Sequence, residues 1–230
     1  ACLKSTKKFK FTFDNINYKE NESTYFKYNN SVIALMDALF LKFNELGLVQ
    51  NVSIYCHNNI ELNEDNPKND YVIINELSRD PKRSLIHHQW DKIIEYLLSK
   101  NQNIKIFSNR NFDNSKIKKL PLDNIDKSIK IIQKAKLVIT PETFVSHVAA
   151  FERVNSICIL GGGHYGKFMP YMESDIVKIK EPEYLTNYLD CFGCNWNCKY
   201  KDKTYRCVDI DVENIFINID KLLNDQCGNA

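Results

Sequence analysis

The chain has almost no excess of charge of either sign: 31 lysines and arginines stand against 29 acidic residues, a net charge of +2. That balance supplies no electrostatic footprint for nucleic acid or for an anionic membrane, and no nucleic-acid partner is expected. No apolar run approaches the roughly 20 residues of a membrane span. The lysine-rich start "ACLKSTKKFKFTF" has no apolar stretch suited to a signal peptide, so a cytoplasmic protein is expected. The chain does not begin with methionine, which is compatible with residues missing upstream. Internal repeats, low-complexity tracts and a Walker P-loop are all absent. What is present, 43% hydrophobic against 26% charged residues over 230 positions, suits a globular chain able to bury a sizeable core.

Residues 1 to 31 are polar and rich in lysine, asparagine and aromatics, and read as an irregular arm with one candidate strand at "KFKFTF". From Val32 the apolar set Val32, Met36, Leu39, Phe40, Phe43 and Leu46 keeps a 3.6-residue period up to Gly47, which predicts a helix with a glycine stop. "NVSIYC" reads as a strand and "NNIELNEDNPKND" as a polar linker.

The pattern then becomes regular. "YVIINEL" (71–77) is a buried strand, and Ile86, Trp90, Ile93, Ile94, Leu97 and Leu98 trace one helical face. "IKIFS" is a strand, and a helix through Ile125, Ile129 and Ile132 leads to the strand "KLVIT". A helix from about Thr143 to Phe151 and the strand "SICILG" follow. The last helix places Val212, Ile215, Phe216, Ile219, Leu222 and Leu223 on one face. Strands alternating with helices at this spacing predict a Rossmann-like α/β fold, a parallel sheet with helices on both faces. The division is an arm and linker helix over 1–69 and the α/β domain over 70–230.

Ligands of such sheets sit beyond the carboxyl ends of the strands, where helix N-termini point free amides. Three loops should meet there. In "ELSRDPKRS", Ser78, Arg79, Lys82 and Arg83 offer a hydroxyl and three cations, a set that suits a diphosphate and equally suits a solvated turn. In "TPETFVSH", Glu142 or Thr143 starts a helix and His147 lies four residues after Thr143, on the same face. In "GGGHYGKF", three consecutive glycines predict a tight turn or a close approach of backbone to a ligand, with Gly162, Gly163 and His164 as contacts.

Four of the eight cysteines, Cys191, Cys194, Cys198 and Cys207, form a C-x2-C-x3-C-x8-C cluster within 17 residues. Four thiolates so close in sequence can wrap one tetrahedral zinc or hold an iron–sulfur cluster. The spacing is not that of a standard zinc ribbon, and local disulfides or free thiols are the other readings, disulfides being disfavoured in a reducing compartment.

The combined order, "INELSRDPKRS" and then "AKLVITPETFVSHVAAFERVNSICILGGG", resembles the C-terminal donor-binding domain of glycosyltransferase family 9, the ADP-heptose:lipopolysaccharide heptosyltransferases and their relatives. The resemblance covers about residues 70 to 223. It matches Ser78 and Lys82 to the family's phosphate-binding hydroxyl and lysine, Thr143 to its threonine and His147 to its histidine. Glu142 stands where the family has aspartate and Phe144 where it has glycine, so donor identity or binding geometry is expected to differ. The segment "VIALMDALFLKFNELGL" resembles the one joining the two halves of family members, and the N-terminal acceptor domain has no counterpart here. Some relatives carry a segment similar to "CNWNC", which implies a structural cysteine knuckle with a structural zinc as an option.

What the resemblance implies is a domain of the GT-B type and inverting, metal-independent transfer of a sugar from a nucleotide-diphosphate donor to a glycan or lipid-linked acceptor. No cofactor is required for that chemistry, and peripheral membrane association would come through the acceptor. Lys82 and His147 are the implied catalytic residues, with Ser78, Arg79, Glu142, Thr143, Gly162, Gly163 and His164 binding the donor. The family's general base belongs to its N-terminal half and is unmatched. Two other readings remain: a non-catalytic nucleotide-sugar sensor, and an interaction module built on the cysteine knuckle with the α/β part as scaffold.

Overall fold

The computed structural model describes residues 26–28, 31–33, 70–121, 124–171, 179–200, 202 and 205–224. Two short strands, β1 (Phe26–Tyr28) and β2 (Ser31–Ile33), pair antiparallel, with Phe26 opposite Ile33. The helix expected from Val32 is therefore corrected at its start, where Ser31, Val32 and Ile33 are extended. The candidate strands "KFKFTF" and "NVSIYC" and the rest of that helix lie outside the described residues.

The main sheet has six parallel strands: β3 (Val72–Asn75), β4 (Ile104–Phe107), β5 (Ile117–Lys119), β6 (Leu137–Pro141), β7 (Ser156–Ile159) and β8 (Glu183–Leu185). Their spatial order is β5-β4-β3-β6-β7-β8. From β3 the chain winds outward through β4 to β5, returns to the centre at β6, and winds the other way to β8. This is the doubly wound order, and its reversal point lies between β3 and β6.

Among the described residues four helices cover the sheet: α1 (His87–Ser99), α2 (Ile125–Gln133), α3 (Phe144–Phe151) and α4 (Val212–Asn224). Val72 and Ile74 point to one face, where they meet Trp90, Ile93 and Leu97 of α1 and Ile215 and Ile219 of α4. Tyr71 and Ile73 point to the other, against Ile132 of α2 and Val145 and Ala149 of α3. Coverage on both sides is why β3 reads as an unbroken apolar run: Val72, Ile73 and Ile74 are all fully buried. Each such side chain contributes roughly 1.5–3 kcal/mol of transfer free energy.

The helices and central strands expected over residues 70–224 are present, and differences fall at the edges. Ile86 and Ile125 were read as core positions and are exposed, Ile86 because it precedes the first turn of α1 and Ile125 because it opens α2. The edge strands β5 and β8 carry no residue that is fully buried, so periodicity had no apolar face to detect.

Candidate functional site at the strand ends

At the reversal point the end of β3 is tied to the end of β6 by a buried amide. Asn75 Nδ2 donates to Thr140 Oγ1 at 2.9 Å, to Thr143 Oγ1 at 3.1 Å and to the Leu77 carbonyl at 3.2 Å, while its Oδ1 accepts from the Leu77 amide at 3.2 Å. Thr143 caps α3: its hydroxyl accepts from the Val145 amide at 3.3 Å and Ser146 Oγ accepts from the Thr143 amide at 3.0 Å. The helix start was legible from Pro141-Glu142-Thr143, whereas Asn75, the residue that joins the two loops, was missed. Its signal was a lone polar side chain ending an apolar strand.

Glu142 follows β6 and is 6% exposed. Arg83 reaches it from a short 3-10 turn, Pro81–Arg83, with Nη2 at 3.6 Å from Oε2 and 3.5 Å from the Glu142 carbonyl. Burial lifts the Glu142 carboxyl to about 7, against the opposing pull of Arg83 and Lys167. Asp80 shapes the turn by accepting from the Lys82 amide at 3.0 Å. Lys82 itself is exposed and lies 5.8 Å from the centre of the Tyr205 ring, and Arg79 is exposed. Of the cations in this loop, the described contacts place Arg83 on the buried carboxylate.

The glycine run makes the tight turn expected of it, a 3-10 turn over Gly162–His164. A Cβ on Gly161 would stand 2.1 Å from the Trp196 ring, one on Gly163 would stand 2.5 Å from it, and one on Gly162 would stand 2.3 Å from Phe192. The space a side chain would take is filled by aromatic rings of the cysteine segment, so the glycines answer to packing there. The backbones are joined as well, Gly193 N to Gly162 O at 2.8 Å and Asn195 N to Gly163 O at 3.0 Å. His164 bonds Asn195 Oδ1 through Nε2 at 2.8 Å and sits edge-on to Trp196 and Phe168. Burial pushes His164 down to about 4, with Lys167 and Arg83 adding to the effect against the Asn195 bond, so it is neutral at physiological pH.

Trp196 thus forms a wall between two parts of the molecule. The Arg83 guanidinium lies 4.6 Å from its ring centre and Tyr205 packs 5.0 Å away on centroids. Trp196 holds a left-handed backbone, φ 63°, beside Asn195 at 51°. For a bulky side chain that conformation costs roughly 1–2 kcal/mol, a strain the surrounding contacts must offset.

His147 is not brought to this group. Its Nδ1 bonds the Tyr171 hydroxyl, the ring is edge-on to Tyr171 at 5.9 Å, and burial alone lowers its pKa. His147 lies one turn after Thr143, its amide bonding the Thr143 carbonyl at 3.3 Å, while the Thr143 hydroxyl is engaged by Asn75 and Thr140. Phe144 is 48% exposed.

Five buried polar atoms from the strand-end loops and the cysteine segment have no hydrogen-bond partner: Ser78 Oγ, Arg83 Nε, Glu142 Oε2, His164 Nδ1 and Trp196 Nε1. Buried polar groups are ordinarily paired, and two of these atoms, Arg83 Nε and Glu142 Oε2, belong to one ion pair. Beside it, Glu76 is buried and fully engaged: Arg110 Nη2 lies 2.6 Å from Oε2, Nε 3.0 Å from Oε1, and Ser108 donates to Oε1. Arg110 also bridges to Asp91, closing a network that holds the loop after β4 against β3. A separate concavity of about 450 Å³ is lined by Asn187, Tyr188, Leu189, Asp202, Arg206 and Asp209, and its Arg206 is paired with Asp202.

All five described cysteines are free thiols. Cys191, Cys194, Cys198 and Cys207 are near enough to influence one another, and burial raises the first two and Cys207. Backbone amides are directed at two of the sulfurs, from Trp196 to Cys194 and from Gly162 to Cys207. Among the described residues no three histidine, cysteine or acidic side chains stand at the spacing of a metal site.

No protein-family model matches the chain and no curated protein matches it. Solved structures do. The iron-containing dodecameric glycosyltransferase TibC from enterotoxigenic E. coli H10407 aligns with a TM-score of 0.50 at 17% identity, over 68% of this chain and 45% of TibC. The E. coli ADP-heptose lps heptosyltransferase II aligns with a TM-score of 0.51 at 14% identity, over 76% of this chain and 51% of the enzyme. The fold is one that heptosyltransferases share. The likeness read from the motifs therefore extends to the architecture, a Rossmann-like α/β domain of the kind found in GT-B glycosyltransferases. The chain spans about half the length of these two proteins. Among the described residues no helix is long and apolar enough to cross a membrane.

Proposed function

We propose that the chain supplies the nucleotide-sugar site of a heptosyltransferase-like glycosyltransferase of family 9, transferring a sugar from a nucleotide-diphosphate donor to a glycan or lipid-linked acceptor in the cytoplasm. The observation that carries this reading is the buried Arg83–Glu142 pair, whose Arg83 Nε and Glu142 Oε2 have no hydrogen-bond partner, at the reversal point where doubly wound sheets bind ligands. The shared fold supports it.

In this reading Arg83 and Lys167 meet the diphosphate, Ser78 Oγ donates to it, His164 Nδ1 accepts from a sugar hydroxyl because Nε2 donates to Asn195, and Lys82 closes over the exposed side. Inverting transfer needs fixed positive charge as the diphosphate leaves, and these cations are held in a partly desolvated place where they act strongly. The base that takes the acceptor proton would come from the remainder of a two-domain enzyme, and no metal takes part in the transfer. The chemistry of the donor set and the two amide-to-sulfur contacts suit a structural zinc at Cys191, Cys194, Cys198 and Cys207, although the described side chains do not stand at metal-site spacing; bound there it would fix the segment that carries Trp196.

The second reading, a nucleotide-sugar-binding protein without transfer, is favoured by the engagement of His147 with Tyr171. Titration calorimetry with ADP, UDP, GDP and their sugar conjugates tests the proposal. One nucleotide should bind, and Arg83→Ala should abolish binding while Lys82→Ala weakens it. Failure of every nucleotide to bind would sink both readings.

A further inference from the structure

Glu142 is an odd neighbour for a diphosphate. It is buried, it pairs with Arg83 and feels the charge of Lys167, and it has a carboxylate oxygen that no donor reaches, while Arg83 Nε has no acceptor. An ion pair at 3.6 Å without a hydrogen bond is a loose hold on a buried charge. Both cations are thus neutralised by an internal anion that satisfies neither.

We propose that the Glu142 carboxylate is an internal competitor for the diphosphate at Arg83 and Lys167, and that the donor binds by displacing this charge, with Glu142 taking up one proton. This rests on the nucleotide-sugar reading above and names how that site is regulated. The competition follows from like charge: a diphosphate brought to the same two cations would lie against a carboxylate in a place with little water, and two anions cannot both stay ionised there at low cost. Protonated, Glu142 becomes a hydrogen-bond donor toward the phosphate oxygens.

The groups facing Glu142 leave it as the proton acceptor. Arg83 approaches from the turn after β3 and Lys167 from the loop after β7, both cations. Cys158 of β7 is fully buried, and the carboxylate raises its pKa further above the usual thiol range, so it stays protonated. His164 feels the same two cations and is held neutral, and His147 on α3 is affected by burial alone. The Glu142 carboxyl itself, lifted to about 7, is poised to change charge near neutral pH.

The experiment is calorimetric titration of the full chain with ADP-glucose and UDP-glucose, whose diphosphate esters lack the monoester oxygen that titrates near neutral pH. Runs at pH 8 in buffers of different ionisation heat count the protons. The expected result is uptake of about one proton per nucleotide and affinity that falls roughly tenfold per pH unit above neutrality. Glu142→Gln should bind with no proton uptake and at least as tightly at pH 8 as the parent at pH 6, and His164→Gln should keep the uptake. Binding by the parent without uptake, or uptake that persists in Glu142→Gln, overturns the inference and leaves the nucleotide reading standing. Absence of binding in both parent and Glu142→Gln at every pH overturns the reading and the inference with it. The proton count on the parent protein needs no variant, so misfolding of a mutant cannot obscure it.

Discussion

The guanidinium of Arg83 rests 4.6 Å from the ring centre of Trp196, and that ring in turn occupies the space above Gly161 and Gly163. The pair connects the cysteine segment to the buried carboxylate of Glu142, because the same guanidinium reaches both. A cation over an indole is stabilised by roughly 1–2 kcal/mol when partly desolvated.

Trp196 should therefore matter to stability and to binding in separable ways. Trp196→Ala removes the stack and the packing on the glycines and is expected to cost roughly 2–4 kcal/mol in urea unfolding. Trp196→Gly relieves the left-handed backbone as well and should cost about 1 kcal/mol less than alanine does. Equal losses for the two variants would contradict the strain.

Adding one methyl group at Gly161 tests the close approach directly. Gly161→Ala places a carbon about 2 Å from the Trp196 ring and must push the cysteine segment outward. A loss of roughly 1–3 kcal/mol is expected, with weakened nucleotide binding measured by calorimetry. A variant as stable as the parent would show that the ring does not lie there.

The carboxyl of Glu142 stands at about 7 in the fold against an ordinary 4.5, so the native state holds more protons than the unfolded chain between those values. Stability contributed at this position is therefore highest at low pH, falls as pH rises from 4.5 to 7, and stays low above. The advantage of Glu142→Gln over the parent in unfolding free energy should grow by roughly 3 kcal/mol between acid and pH 8. A difference that does not change with pH rules this out.

Asn75 joins the two central loops through one buried amide. Asn75→Ala leaves the Leu77 amide and carbonyl without their bonds and frees α3 at its start. The expected loss is roughly 1–3 kcal/mol in denaturant unfolding, with faster hydrogen exchange at the Val145 and Ser146 amides. Unchanged exchange there would mean that the cap stands without Asn75.

For the cysteines, metal analysis of protein purified without chelator should return about one zinc or iron per chain, reduced in Cys198→Ser. Chelation should lower the melting temperature by several degrees, as expected when a ligand of the native state is withdrawn. Four thiols that all react freely with a thiol reagent in the purified protein, with no metal present, would refute the metal proposal.

Much of the architecture was legible along the chain. "VII" of β3 and "LVIT" of β6 are runs that only a strand covered on both sides would carry, and Trp90, Ile93, Ile94 and Leu97 repeat at helical spacing. Thr143 announced the start of α3 because a hydroxyl after a proline is a local signal, complete within four residues. The edge strands β5 and β8 escaped, since half-exposed three-residue segments carry no pattern. In the site, Ser78, Glu142 and His164 were singled out and supply unpaired atoms to it, while Asn75, Lys167 and Trp196 were not.

By itself, then, the sequence determined the alternation of buried strands and amphipathic helices, because burial is written residue by residue in apolar periodicity. It also determined which loops are rich in charge and glycine. Only the tertiary structure decided what those groups face. Arg83 lies 59 residues from Glu142, and Trp196 more than thirty from the glycines it covers, distances at which local pattern holds no information about pairing. A run of three glycines says that something must come close. Whether a ligand or a tryptophan comes close depends on where a distant segment docks, and that is settled by the packing of the whole domain.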